Sequence, residues 1–291
     1  MEGEAAPRGR CDTGAVRVAV VGHLEWIEFA RVERVPAPGE IVHALESWQE
    51  PGGGGAVTAV QLARLAGDAV FFTALGDDPL GHRAHEELSA LGVRVEAAWR
   101  AEPQRRGFVF VDSAGERTIT VIGDRLGPSG HDALPWEELS EVDAVYFTAG
   151  DGAAALAART ARKMVATVRA LEPLAEAGVE LDALVASGND AGERYERGDL
   201  EPEPRLVVRT AGAAGGGWER PDGETGSYLT TPLTAPVSDA YGCGDSFAGG
   251  LTFGLGSGMP VGQALELAAR CGAACLTGRG PYSAQLTGAD L

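Results

Sequence analysis

SDAYGCGDSFAGGLTFGLGSG, Ser238 to Gly258, is a glycine turn running into a helix, with one carboxylate, Asp245, at the junction. Gly242 and Gly244 permit backbone geometry that a side chain would block. The amides of Gly242, Cys243 and Gly244 are then free to point at one spot, and the helix that follows adds the positive end of its dipole. Free amides and a dipole make an anion site. Asp245 stands where it can take a proton from a hydroxyl beside that anion, and a phosphate cradle next to a base points to phosphoryl transfer to an alcohol.

Outward from this junction the chain alternates strand and helix. RVAVVG, Arg17 to Gly22, is a short apolar run ending in glycine, as in a buried parallel strand. Pro51–Gly55 (PGGGG) opens AVTAVQLARLAG, whose apolar spacing suits a packed helix closed by Gly67. This glycine run, with Gly53 and Gly54 at its centre, allows close approach of a substrate to a helix start. Strands are expected at 69–74, 143–148, 181–186 and 206–210, and helices from the GDDPLG turn to Leu91, over 246–255 and over 261–277. Gly212–Gly217 reads as a loose loop. Strand–helix alternation argues a parallel sheet covered on both faces. The strands expected at 28–48 and 93–122 do not alternate with helices, and they predict a separate small sheet acting as a lid. Residues 1–15 are expected to be a disordered tail and 16–291 a single domain.

Composition narrows the function. The 291 residues are 44% hydrophobic and carry a net charge of −18 from 24 basic and 42 acidic residues. Nucleic acid is therefore not an expected partner. The field of the whole chain also repels ATP, so a bound phosphate must be held by local amides, a metal ion or a placed arginine. Lys163 is the only lysine, and no Gly-Lys-Ser or Gly-Lys-Thr occurs, which excludes a standard P-loop. No apolar run is long enough to span a bilayer, and the N-terminus lacks the apolar region of a secretory signal. The four cysteines form no CxxC pair and read as small hydrophobes in a reduced cytoplasm. GHLEWI after the first strand has one glycine where a dinucleotide fold needs three.

From about Arg17 to Ser283 the chain resembles the ribokinase-like, or PfkB, carbohydrate kinases. DAYGCGDSF is similar to that family's C-terminal signature, with Cys243 in place of alanine. PGEIVHA, the glycine run before AVTAVQLARLAG, and FFTALGDDPLGHRAHEELSALGV are similar to further family elements. The resemblance implies a three-layer α/β/α core with a β-sheet lid, and an ATP- and magnesium-dependent kinase acting on a sugar, with a nucleoside kinase or a non-catalytic sugar or nucleotide sensor as alternatives. It makes Asp245 the base and the amides of residues 242–244 the stabilisers of the transferred group. Thr210 and Gly212 match the region that approaches the nucleotide. Asp239 and residues 279–283 resemble a loop that binds a monovalent cation such as K+. On the acceptor side Glu25 and His23 stand near the place of a substrate aspartate, and Val57 stands where the family has an asparagine. Of the family's Asn-x-x-Glu metal element, Ser187 and Asp190 keep the spacing, while Asn189 and Glu193 keep the residue types. Asp190 and Glu193 are the metal ligands so implied. Arg106, Arg117 and Arg125 fall in the expected lid, where a contact with substrate or phosphate competes with plain surface charge. A homodimer through the lid is a further implication.

Overall fold

The computed structural model describes residues 16–190 and 192–291, so the expected tail at 1–15 lies outside the described residues. In chain order the strands and helices are β1 (Val18–Val21), β2 (Glu25–Arg31), β3 (Glu46–Gly52), α1 (Gly54–Ala66), β4 (Ala69–Gly76), α2 (Pro79–Ala90), β5 (Val93–Arg100), β6 (Arg106–Val111) and β7 (Arg117–Ile122). They continue as β8 (Ala144–Phe147), α3 (Gly152–Ala158), β9 (Met164–Thr167), α4 (Leu171–Ala177), β10 (Ala183–Ser187) and β11 (Val207–Thr210). The last are β12 (Gly216–Glu219), β13 (Thr225–Tyr228), α5 (Cys243–Gly256) and α6 (Val261–Leu276).

The large sheet has the order β13-β12-β11-β10-β9-β8-β1-β4-β5. Its members from β11 to β5 run parallel, and β12 and β13 close one edge antiparallel. Alternate residues of β1 feed opposite faces. Val18 and Val20 join α1, α2, α5 and α6 in one apolar cluster, while Ala19 and Val21 join α3 and α4 in the other. A strand buried on both faces in this way reads as an unbroken apolar run, as RVAVVG does, and the result is the three-layer core.

The small sheet has the order β3-β2-β6-β7. The expectation that Val93–Trp99 belongs to it is corrected. That segment is β5, parallel to β4 from Ala69↔Val93 to Gly76↔Arg100, and it forms the edge of the large sheet. It follows α2 as an ordinary βαβ crossover, and its half-exposed edge position gave it the alternating pattern of a lid strand. The lid strands expected over 28–48 are shifted: they are β2 and β3, with 32–45 forming the connection. Gly212–Gly217 is only partly a loop, because β12 starts at Gly216. There Trp218 lies across from Gly226, where an added Cβ would stand 2.5 Å from the indole.

Helices α5 and α6 pack at close range through glycine. A Cβ at Gly250 would stand 2.8 Å from Ala268 Cα and 2.9 Å from Cys271 Sγ. Gly250→Ala gains helix propensity but pushes against backbone that cannot swing aside. We expect a net loss of about 1–2 kcal/mol in urea unfolding. An unchanged or raised midpoint would show that the two helices can separate freely.

Candidate active site

All parallel strands of the large sheet end on the same side, and the loops leaving them gather there, as ligand sites do in open α/β sheets. The lid is tied to that edge by Phe29, which stacks on Trp48 with centroids 4.8 Å apart and meets Tyr241 edge-on at 5.1 Å.

Gly242 is the N-cap of α5, in the left-handed region at φ 81°. A Cβ there would stand 2.7 Å from Pro281 Cβ and 3.0 Å from Val57 Cγ1, so only glycine fits. The amides of Gly242, Cys243 and Gly244 donate to no acceptor among the described residues, and Gly244 is exposed. The turn is braced from behind. Asp239, fully buried, accepts from Tyr241 N at 2.9 Å and from Gly280 N at 3.1 Å. Asp239 therefore fastens the turn to the 279–283 segment and faces no open cavity. It does not fit the expected role of an open nucleotide or cation ligand. Val57 is corrected likewise: it is fully buried in α1 beneath Gly242, with no surface toward the cleft.

Asp245 sits in the first turn of α5, half-buried, and its carboxylate accepts no hydrogen bond from the described residues. It faces the amino end of α1: a Cβ at Gly54 would lie 2.9 Å from Asp245 Oδ1 and 3.3 Å from Thr148 Oγ1. Neither α1 nor α5 has a side-chain cap, so two helix starts with unsatisfied amides converge beside one carboxylate. Burial pushes Asp245 up to about 6, Glu193 and Glu25 add to the rise, and the charges of Arg117 and Arg169 oppose it. Arg117 comes from lid strand β7 and has no ion pair among the described residues.

Gly53, at φ 85°, turns the chain from β3 into α1 and donates its amide to Tyr241 Oη at 2.9 Å. Tyr241 thus couples the two glycine turns, a role with no signal in its sequence neighbourhood. Gly53 also lets the chain pass close to Glu25 and His23, since a Cβ there would be 3.2 Å from Glu25 N and 3.3 Å from His23 Cδ2. Glu25 Oε1 lies 2.9 Å from Arg105 Nε and 3.8 Å from His23 Nε2. Burial raises the Glu25 carboxyl above its ordinary value, with the Arg105, Arg125 and Arg169 charges opposing. The same burial and the same three arginines push His23 down to about 3.

Thr210 ends β11, and Gly212 follows it at φ 55°. Gly188 donates to Thr210 O at 2.7 Å, and a Cβ at Gly212 would lie 3.6 Å from Asn189 Nδ2, so the 188–190 and 210–212 loops stand side by side. Asp190 and Glu193 are both paired with Arg169; Asp190 Oδ2 is 3.1 Å from its Nη2. No cluster of three or more acidic, histidine or cysteine donors occurs among the described residues. Neither Arg105 nor Arg169 stood out in the sequence. Each is brought to the site by chain folding, and no local pattern marks it.

Residues 16–287 match the sequence pattern described as pfkB family carbohydrate kinase. The chain belongs to this family. It is 32% identical over 292 residues to the ATP-dependent ribose-1-phosphate kinase of Halopiger xanaduensis, covering 92% of this chain and 95% of that one. It is 30% identical over 288 residues to a fructokinase of Klebsiella pneumoniae, covering 81% and 89%. Among solved structures, Arabidopsis thaliana ribokinase complexed with ribose and ATP superposes with a TM-score of 0.74 at 19% identity, covering 95% and 97%. The ADP complex of Cryptococcus neoformans ribokinase gives 0.74 at 22%, covering 94% and 98%. At these identities the two superpositions show the pfkB-type fold. The family membership explains why the turn at 242–245 and the lid occur together in one chain.

Proposed function

We propose that this pfkB-family enzyme transfers the γ-phosphate of ATP to a hydroxyl of a sugar, with Asp245 as the general base. The observation that carries this reading is the junction of unspent amides at 242–244 with an unbonded carboxylate one residue on. The acceptor lies between the lid and the strand ends, where Glu25 accepts hydrogen bonds from its hydroxyls. The reacting hydroxyl gives its proton to Asp245 as its oxygen attacks the γ-phosphorus. The amides of Gly242, Cys243 and Gly244, with Arg117 from the lid, stabilise the charge on the moving phosphoryl group. Thr210 and Gly212 flank the nucleotide. Asp190 and Glu193 would hold the magnesium of the nucleotide, which would neutralise charge on the phosphates. The two carboxylates stand together, both held against Arg169 after β9. Lid closure would exclude water, which otherwise competes for the phosphoryl group. The relatives named above act on a phosphorylated pentose in one case and are fructokinase in the other, so both neutral and phosphorylated sugars belong in the test panel. The reading extends to work in the cytoplasm, supported by the free thiols of Cys243, Cys271 and Cys275, and to pairing of two chains through the exposed lid edge β7. No helix among the described residues is long and apolar enough to cross a membrane.

Coupled detection of ADP across sugars, sugar phosphates and nucleosides tests this function. Turnover confined to nucleosides, or binding without turnover, would replace it. The pH profile tests the base. Asp245 must be ionised to accept a proton, and its raised value near 6 means that it protonates well above the pH at which an ordinary aspartate does. We expect kcat/KM to be level near neutrality and to fall toward tenfold per pH unit below about 6. A profile level down to pH 4.5 would remove Asp245 from this role.

A further inference from the structure

In a trans peptide the C=O and the N–H point in opposite directions. The peptide between Tyr241 and Gly242 carries the Gly242 amide at one end and the Tyr241 carbonyl at the other. Whatever fixes that carbonyl behind the turn also fixes where the amide points. Gly242 does not fix it alone. Glycine takes φ of either sign with little penalty. The residue that Pro281 and Val57 require at 242 is thus also the one most able to let its peptide turn over.

Behind the turn stands Cys275, the next-to-last residue of α6 and fully buried. Its Sγ lies 3.5 Å from Tyr241 O and 3.5 Å from Pro281 O. Neither carbonyl accepts another hydrogen bond among the described residues. The thiol is a weak donor with one proton, which the two buried oxygens share. A buried carbonyl that loses its donor is costly, so even this weak bond favours one orientation of the peptide. The end of α6 grips the same turn through its backbone. Leu276 O accepts from Ser238 N at 2.9 Å and from Asp239 N at 3.3 Å. Turned over, the 241–242 peptide would aim a carbonyl at the incoming phosphoryl group and withdraw a donor from it.

We propose that Cys275 is a positioning residue for phosphoryl transfer: its thiol holds the Tyr241 carbonyl behind the turn and so aims the Gly242 amide at the moving phosphoryl group. This rests on the kinase reading of the site and adds to it a residue on the far side of the turn from the cleft. Cys271, four residues earlier on α6, is equally buried but meets different neighbours. It packs where a Cβ at Gly250 would stand 2.9 Å from its Sγ, and among the described residues it makes no hydrogen bond to the turn.

Steady-state kinetics on Cys275→Ala, Cys275→Ser and Cys271→Ala, with an acceptor that releases ADP from the parent, tests the assignment. Cys275→Ala should lower kcat about three- to tenfold, the worth of one hydrogen bond. KM for ATP and for the acceptor should stay within about twofold, because the amide acts on the moving group and not on the bound ground state. Cys275→Ser keeps a donor between the two carbonyls and should bring kcat back to within about twofold of the parent. Cys271→Ala empties the same volume in the same helix. It should lower the urea midpoint as Cys275→Ala does, with kcat unchanged. A crystal structure of Cys275→Ala reads the peptide directly, and the 241–242 peptide should show a second orientation with its carbonyl toward the cleft. Parent-like kcat in Cys275→Ala overturns the proposal, as does a serine variant no better than the alanine one. So does a fall in kcat shared by Cys271→Ala, or an undisturbed peptide in the crystal. If the parent releases no ADP with any acceptor, the kinase reading fails by itself, and the crystal structure still decides what the thiol holds.

Discussion

Asp245→Asn should lower kcat by about 10²–10⁴-fold, the contribution of a placed general base. The amide has the shape of the carboxylate and fits the same place beside the amino end of α1, but it cannot take the proton of the attacking hydroxyl. Folding should be preserved. The carboxylate accepts no hydrogen bond from the described residues, and burial disfavours its charged form, so a neutral replacement leaves nothing unpaired. The variant should therefore match the parent in thermal unfolding and should lose the acid limb of the pH profile. Near-normal turnover in a folded Asn variant would remove Asp245 from the chemistry.

Gly242→Ala should lower kcat by about 10²–10³-fold, the loss seen when a transition-state oxyanion donor is misplaced. Two forces act together. A side chain at φ 81° is strained, and its Cβ would meet Pro281 at 2.7 Å and Val57 at 3.0 Å. The turn has to shift, and the three amides lose their common aim while Asp245 stays on its helix. Cys243→Ala should cost far less, since it changes a side chain and keeps the amide. Steady-state kinetics on both variants decides between them. Equal effects would mean that the sulfur matters and the backbone aim does not.

The lid and the core differed in how well their sequence announced them. β7 was expected over 117–122 and spans those residues, because a two-stranded ribbon with a tight SAGE turn is a local object. β5 was expected to be a lid strand and went to the other sheet, since its half-exposed edge position leaves it without the unbroken apolar run of a central strand. The segments β9, α3 and α4 had no clear signal. Each spans seven residues or fewer, and Gly152–Ala158 is nearly all alanine, so its identity as a helix depends on what packs against it. Val57 shows the reverse error. Its place in the glycine-to-helix motif suggested contact with substrate, but the helix turns that position into the core beneath Gly242.

The junction at 238–258 was legible because everything that makes it is consecutive: glycines that permit the turn, amides that follow from it, and a carboxylate one residue on. The charged group of Glu25, Arg105, Arg125 and Arg169 was not legible, because its members come from two strand ends and two lid connections, and no spacing in the chain relates them. Their charges act on one another only after the sheet closes and water withdraws. Local backbone geometry is written in neighbouring residues, whereas the balance of charge in a cleft depends on distances that exist only in the folded chain.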